Sequence, residues 1–152
     1  MSAIRELTLT RTFDAPRALV FKLWTDPVQL ARWWGPKDFT NIVRSWDARP
    51  GGKIDLTMSW PQGDHPMGGG FREVDPPKRL VFTSTAFEDK EGNAELENLN
   101  TVTFEDDNGK TKVTVHVIVL KASAAVAGPL SGMEAGWSQS LDKLGDLVAQ
   151  IR

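Results

Sequence analysis

Residues 39–120 change polarity at every second position in one segment after another, and a turn signal closes each segment. Lys53–Trp60 is the clearest case, with Ile54, Leu56, Met58 and Trp60 on one side and Asp55, Thr57 and Ser59 on the other. A period of two marks a half-buried strand, because successive side chains of an extended chain point to opposite faces. Residues 39–47, 68–74, 79–88, 96–105 and 112–120 read as strands too, although three glycines weaken 68–74 and Trp46 falls on no clear side. Between them lie Pro50-Gly51-Gly52, a loop over 61–66, Asp75-Pro76-Pro77, an acidic loop through 90–93 and Asp106-Asp107-Asn108-Gly109. The last predicts a tight hairpin, since Asn-Gly accepts positive φ. Six strands joined by turns predict an antiparallel meander.

The flanks supply one more strand and the helices. Residues 4–13 alternate, with Leu7 and Leu9 against Thr8, Thr10 and Thr12 and Phe13 closing the run. Asp14-Ala15-Pro16 then opens a helix carrying Leu19, Val20, Leu23 and Trp24. An Asp side chain accepts from an orphan N–H there, and Pro lacks a donor that the first turn does not use. Asp26-Pro27 repeats the signal for a second short helix with Leu30, Trp33 and Trp34, which Gly35-Pro36 ends. After an irregular stretch over 121–129, Ser131-Gly132-Met133-Glu134 matches a capping box. Met133, Trp137, Leu141, Leu144, Val148 and Ile151 then form one apolar stripe on a single long helix. About 20 residues at ~1.5 Å each reach ~30 Å. Gly136 and Gly145 each cost about 1 kcal/mol relative to Ala inside a helix, which hints at something packed very close to it.

This order predicts one α+β domain over residues 1–152: a seven-stranded antiparallel sheet around a long C-terminal helix, with two short helices after the first strand. A helix is about 10 Å wide, whereas seven strands at ~4.8 Å each span about 30 Å. The helix cannot seal the apolar face of such a sheet, so the space left over is either filled by large side chains or kept as a ligand cavity. Six Trp, seven Phe and no Tyr are the aromatics available to fill it. Other classes of function are excluded early. Eighteen basic side chains against 20 acidic ones give a net charge of −2, with no general pull toward nucleic acid. The absence of Cys removes disulfides, thiolate nucleophiles and Cys-based metal sites. No stretch approaches the ~20 apolar residues that span a bilayer, and the first residues lack a signal-peptide core. The expectation is a cytoplasmic protein without membrane insertion, cofactor or metal. Asp64-His65 is the one adjacent carboxylate–imidazole pair, and it falls in a predicted loop. Gly68-Gly69-Gly70 precedes a strand, so it lacks the helix N-terminus that makes glycine loops bind phosphate.

Several ordered motifs point further. Phe13-Asp14-Ala15-Pro16, Leu23-Trp24-Thr25-Asp26-Pro27, Leu30-Ala31-Arg32-Trp33-Trp34-Gly35-Pro36, Arg49-Pro50-Gly51-Gly52-Lys53, Glu73-Val74-Asp75-Pro76-Pro77 and Gly136-Trp137 resemble the AHSA-type family, proteins similar to the C-terminal domain of the activator of the heat-shock-protein-90 ATPase. That family is a branch of the START-like (SRPBCC) superfamily, and the resemblance runs from about residue 8 to the C-terminus. It implies the helix-grip (START-like, Bet v 1-like) fold. The superfamily hosts lipid carriers, hormone binders, polyketide cyclases and co-chaperone domains, so the resemblance is more specific for fold than for function. The 152 residues leave no room for the separate N-terminal domain that makes the principal chaperone contacts in the eukaryotic co-chaperone, so chaperone activation is not expected to carry over.

The leading functional expectation is non-catalytic binding of a small hydrophobic molecule, such as a lipid or polyketide, between sheet and helix. Candidate cavity walls are Met58, Trp60, Phe71 and Phe104 with Met133, Trp137 and Leu141 from the helix, since Met and aromatic surfaces adapt to varied apolar ligands. Trp33 is a candidate for the cavity mouth, or alternatively a pin between second helix and sheet. Glu73 and Thr83 are candidates to orient a polar group of the ligand. A cyclase-like enzyme using Glu73 or His116, and a stress- or chaperone-related interaction module, are the alternatives.

Overall fold

The computed structural model describes the backbone of residues 5–35, 37–61, 63–88, 94–122 and 130–151, and the side chains of these except 5, 86–88, 94, 95, 122 and 130–133. In chain order the elements are β1 (Arg5–Phe13), α1 (Arg17–Thr25), α2 (Pro27–Leu30), β2 (Thr40–Trp46), β3 (Lys53–Trp60), β4 (Gly63–Asp75), β5 (Arg79–Glu88), β6 (Ala94–Asp107), β7 (Lys110–Ala122) and α3 (Leu130–Ile151). The strands form one antiparallel sheet in the order β1-β7-β6-β5-β4-β3-β2. β2 to β7 are thus the expected meander, and β1 joins its far edge along β7. At the β6–β7 hairpin Asn108 and Gly109 take φ of 54° and 86°, the positive values that this dipeptide accepts at low cost.

Two expectations need correction. Residues 61–66 are not all loop: β4 begins at Gly63 and pairs with β3 as far as Trp60↔Gly63. Pairing of β4 with β5 starts only at Met67↔Ala86, so Pro66 lies where the strand is bonded on one side. A proline is tolerated at such an edge because no ladder bond is required of its nitrogen there. The long helix begins at Leu130, which places Ser131 inside its first turn rather than ahead of it. The Ser131 side chain of the expected capping box lies outside the described residues.

Register decides which face is buried. Leu7, Val115, Val102, Leu80 and Phe71 from successive strands share the face that packs on α3, together with Leu141, Leu144, Leu147 and Val148 of the helix. The opposite face is rich in Thr and carries His116, whose Nε2 lies 3.4 Å from Glu6 Oε1. At the helix edge, Arg11 of β1 donates to Asp142 at 2.5 Å and to Ser138 at 3.2 Å. Among the described residues no helix is long and apolar enough to cross a membrane.

Candidate ligand-binding site

The site is built outward from α1 and α2. Asp26 caps α2 by accepting from the Val28 N–H at 3.0 Å, with Pro27 at the first helical position. The turn that follows carries Trp33 and Trp34 and ends at Gly35, whose φ of +87° favours glycine. Two indoles then satisfy the carbonyls left over at the end of α1: Trp33 Nε1 donates to Leu23 O at 2.9 Å, and Trp46 Nε1 to Trp24 O at 2.8 Å. Trp33 is fully buried in this role and edge-on to Trp24.

Much of the space beneath α3 is occupied by rings. Trp24, Phe21 and Phe104 pack edge to face, and Trp46, Phe71 and Phe82 form a second group beside them. Beyond these rings a cleft of about 210 Å³ remains between sheet and helix. Trp34 and Gly35 form one side, Met58, Met67 and Ser84 the floor on β3, β4 and β5, and Gly136, Trp137 and Ser140 the wall from α3. Among the described residues its lining holds no carboxylate, imidazole or ammonium group.

The candidates separate cleanly. Met58 and Trp137 meet in the cleft. Trp60 is 37% exposed, stacks on Phe39 with centroids 5.3 Å apart, and donates through Nε1 to His65 Nε2 at 3.0 Å. Asp64-His65 is therefore strand, and Asp64 accepts from Ser59 Oγ at 2.6 Å. Phe71, Phe104 and Leu141 are buried core, and the Met133 side chain lies outside the described residues. Glu73 is exposed and ion-paired with Arg79 at 3.1 Å. Thr83 points to the other face of the sheet, where its hydroxyl accepts from Gly70 N at 3.2 Å.

Three polar side chains not singled out in the sequence neighbour residues of the cleft lining without lining it themselves. Asn100 is 1% exposed on the helix-facing side of β6, and its Nδ2 donates to Phe82 O at 3.3 Å and Ser84 Oγ at 3.0 Å. Asn98, also buried, stands opposite Ser84 in the β5–β6 register. Asn98, Asn100, Val102 and Phe104 alternate on one side of β6, a pattern that places two amides on an otherwise apolar face. Behind Trp34, Lys143 Nζ lies 3.3 Å from each of Trp34 O, Gly35 O and Phe39 O. Burial holds its ammonium below the ordinary lysine value, and the Asp38 carboxylate opposes that shift. Among the described residues no group of three or more potential metal ligands occurs.

Comparison with known proteins agrees with this architecture. The sequence profile of the Activator of Hsp90 ATPase homolog 1-like protein family matches residues 14–149. A crystal structure of a Chromobacterium violaceum protein is similar at 27% identity and a TM-score of 0.82, covering 94% of this chain and 96% of its own. An Arthrobacter aurescens protein has 22% identity and a TM-score of 0.85, over 97% of this chain and 91% of its own. The AHSA1 protein of Silicibacter pomeroyi has 21% identity and a TM-score of 0.78, over 97% and 100%. The last two likenesses concern fold alone. Curated proteins give no match. A profile match over 136 residues, on a seven-stranded sheet with one long C-terminal helix, establishes that this chain belongs to the Activator of Hsp90 ATPase homolog 1-like family.

Proposed function

We propose that the chain binds a small, mainly apolar molecule in the cleft under α3 and performs no chemistry on it. The observation that carries this reading is the cleft itself, about 210 Å³ walled by Trp34, Met58, Met67 and Trp137. Its size sets the class of ligand. An engineered apolar cavity of about 150 Å³ accepts benzene, and pockets for drug-sized molecules begin near 300 Å³. A molecule of one or two rings matches the described cleft better than a whole lipid. Met and Trp walls suit such a ligand, because the thioether adapts its shape and the indole offers a flat face.

Catalysis finds less support. A general acid or base must lie within hydrogen-bond reach of the reacting atoms, whereas Glu73 and His116 are engaged at the surface with Arg79 and Glu6. An interaction module would favour a contiguous exposed apolar patch, yet among the described residues the large exposed hydrophobics Val28, Ile42, Trp60, Leu120 and Ile151 sit on five separate elements.

The test is titration with toluene, naphthalene and indole, followed by Trp fluorescence and calorimetry. Saturable binding with an emission change is expected, because Trp34 and Trp137 line the cleft. No heat and no spectral change with any of the three would overturn the reading.

A further inference from the structure

Resting on the binding reading above, we propose that the cleft selects a neutral cyclic molecule bearing a carbonyl oxygen, and that the Ser84 hydroxyl donates to that oxygen. Ser84 lies two residues beyond Phe82 on β5, so its side chain shares the helix-facing side of the sheet and belongs to the cleft floor. A serine hydroxyl has one proton to give and two lone pairs that receive. One lone pair is taken, because Asn100 Nδ2 donates to Ser84 Oγ at 3.0 Å. The direction of that bond is fixed: the same nitrogen lies 3.3 Å from Phe82 O, and a carbonyl only accepts. The Ser84 proton is therefore turned away from the Asn100 nitrogen. Asn98 and Asn100 Oδ1 do not receive it, since neither has a hydrogen-bond partner, and no other acceptor among the described residues does so.

The rest of the wall offers donors more readily than acceptors. Trp33, Trp46 and Trp60 donate through their indoles to Leu23 O, Trp24 O and His65, and the unpartnered Trp24 Nε1 is shut into the core, outside the cleft lining. Trp34 and Trp137 are the two that line the cleft, and their N–H groups donate to no protein group among the described residues. The oxygens of the same wall are already engaged. Trp34 O accepts from Asn41 and Lys143, Gly35 O from Lys143, and Gly136 O from Ser140 Oγ. A ligand oxygen thus meets open donors, whereas a ligand N–H meets acceptors that already have theirs. Charge of either sign is disfavoured, because among the described residues the lining holds no ionised side chain to neutralise it. A ketone or lactone of one or two rings fits these demands and leaves its apolar body to the Trp and Met walls.

1-Indanone and indane share a bicyclic skeleton and differ by one carbonyl. Calorimetric titration of the full chain with each is the experiment. Water solvates the ketone better, so a cleft that gave the carbonyl no donor would favour indane by about tenfold or more, as for any polar group buried unpaired. Wild type is instead expected to bind 1-indanone at least as tightly as indane. Ser84→Ala is expected to weaken 1-indanone about fivefold and to leave indane within about twofold, in line with the loss of one neutral hydrogen bond. The carbonyl stretch of 1-indanone bound to wild type should also fall below its value in hexane. Tighter binding of indane by wild type, or a stretch that stays at the hexane value, would overturn the carbonyl selectivity while leaving the binding function standing. Failure of both probes would overturn the binding function itself. A Ser84→Ala variant that folds by circular dichroism and keeps its affinity for 1-indanone would overturn the role of Ser84. The wild-type measurements decide the selectivity even if that variant does not fold.

Discussion

Trp137 of α3 stands edge-on to Trp34, with ring centroids 5.3 Å apart and planes at 81°. The same indole lies nearly parallel to Trp24 at 6.2 Å, so one side chain joins the helix to both the core and the cleft. Aromatic pairs of this kind contribute about 0.5–1.5 kcal/mol each beyond area burial. Trp137→Ala is therefore expected to cost about 2–3 kcal/mol in urea unfolding, less than a fully buried Trp because this one is partly exposed. The same change enlarges the cleft, so naphthalene should bind more tightly relative to toluene than it does to wild type. A loss below about 0.5 kcal/mol would show that this ring does not hold helix to sheet.

The indole N–H groups of Trp33 and Trp46 act as side-chain caps for the last turn of α1. Replacing either by Phe keeps an aromatic ring but leaves a buried carbonyl, Leu23 O or Trp24 O, without that donor. An unsatisfied buried group costs about 1–3 kcal/mol, and the smaller ring adds a void. Each variant is expected to lose at least about 2 kcal/mol by chemical denaturation, a size that the two mechanisms together account for. A neutral Trp33→Phe would remove the capping role and return that residue to the ranks of cavity candidates.

Two glycines should respond to alanine in opposite directions. A Cβ on Gly69 would lie 1.9 Å from Thr83 O at a φ of +144°, so β4 could not keep its register against β5. Gly69→Ala should destabilise the fold by about 3 kcal/mol or more, as backbone strain and overpacking coincide. Gly145 sits within α3, where a Cβ would meet only Phe13 Cε1 at an ordinary 3.8 Å. The close packing that its presence hints at is absent, and Gly145→Ala should raise stability by up to about 1 kcal/mol. Thermal melts of the pair check both signs.

What the sequence discloses here is what depends on local period. β3 and β5 begin and end where alternation and turn residues place them, at Lys53–Trp60 and Arg79–Glu88. What it hides depends on irregular register. A bulge between Val43 and Ser45 puts Trp46 on the same face as Val43 despite their odd spacing, which is why simple alternation assigns it to neither side. A second bulge, between Phe71 and Glu73, returns Val74 to the buried face and turns Glu73 out toward Arg79. Strict alternation would have kept Phe71 and Glu73 together. The two Asn residues of β6 were hidden differently: their alternation is regular, but nothing local says which face α3 covers. Ser84 and Met67 join the cleft only through pairings between strands.

Lys143 provides a prediction in pH. Its ammonium is half-buried beneath Trp34, Gly35 and Phe39, whose carbonyl oxygens all lie at 3.3 Å. Burial lowers its pKa from the ordinary 10.5, and Asp38 recovers part of the shift. Between the lowered folded value and 10.5 the unfolded chain binds more protons than the folded one, so stability contributed by this site rises with pH across that window. Below the window both states carry the proton and the contribution is constant. Lys143→Met removes the titrating group while keeping the apolar stem, which packs as a lysine stem does. Urea unfolding of both proteins from pH 8 to 10.5 should show the stability of wild type minus that of the variant increasing as pH rises. A difference that stays flat or falls over this range would mean that the three carbonyls stabilise the ammonium enough to cancel its desolvation.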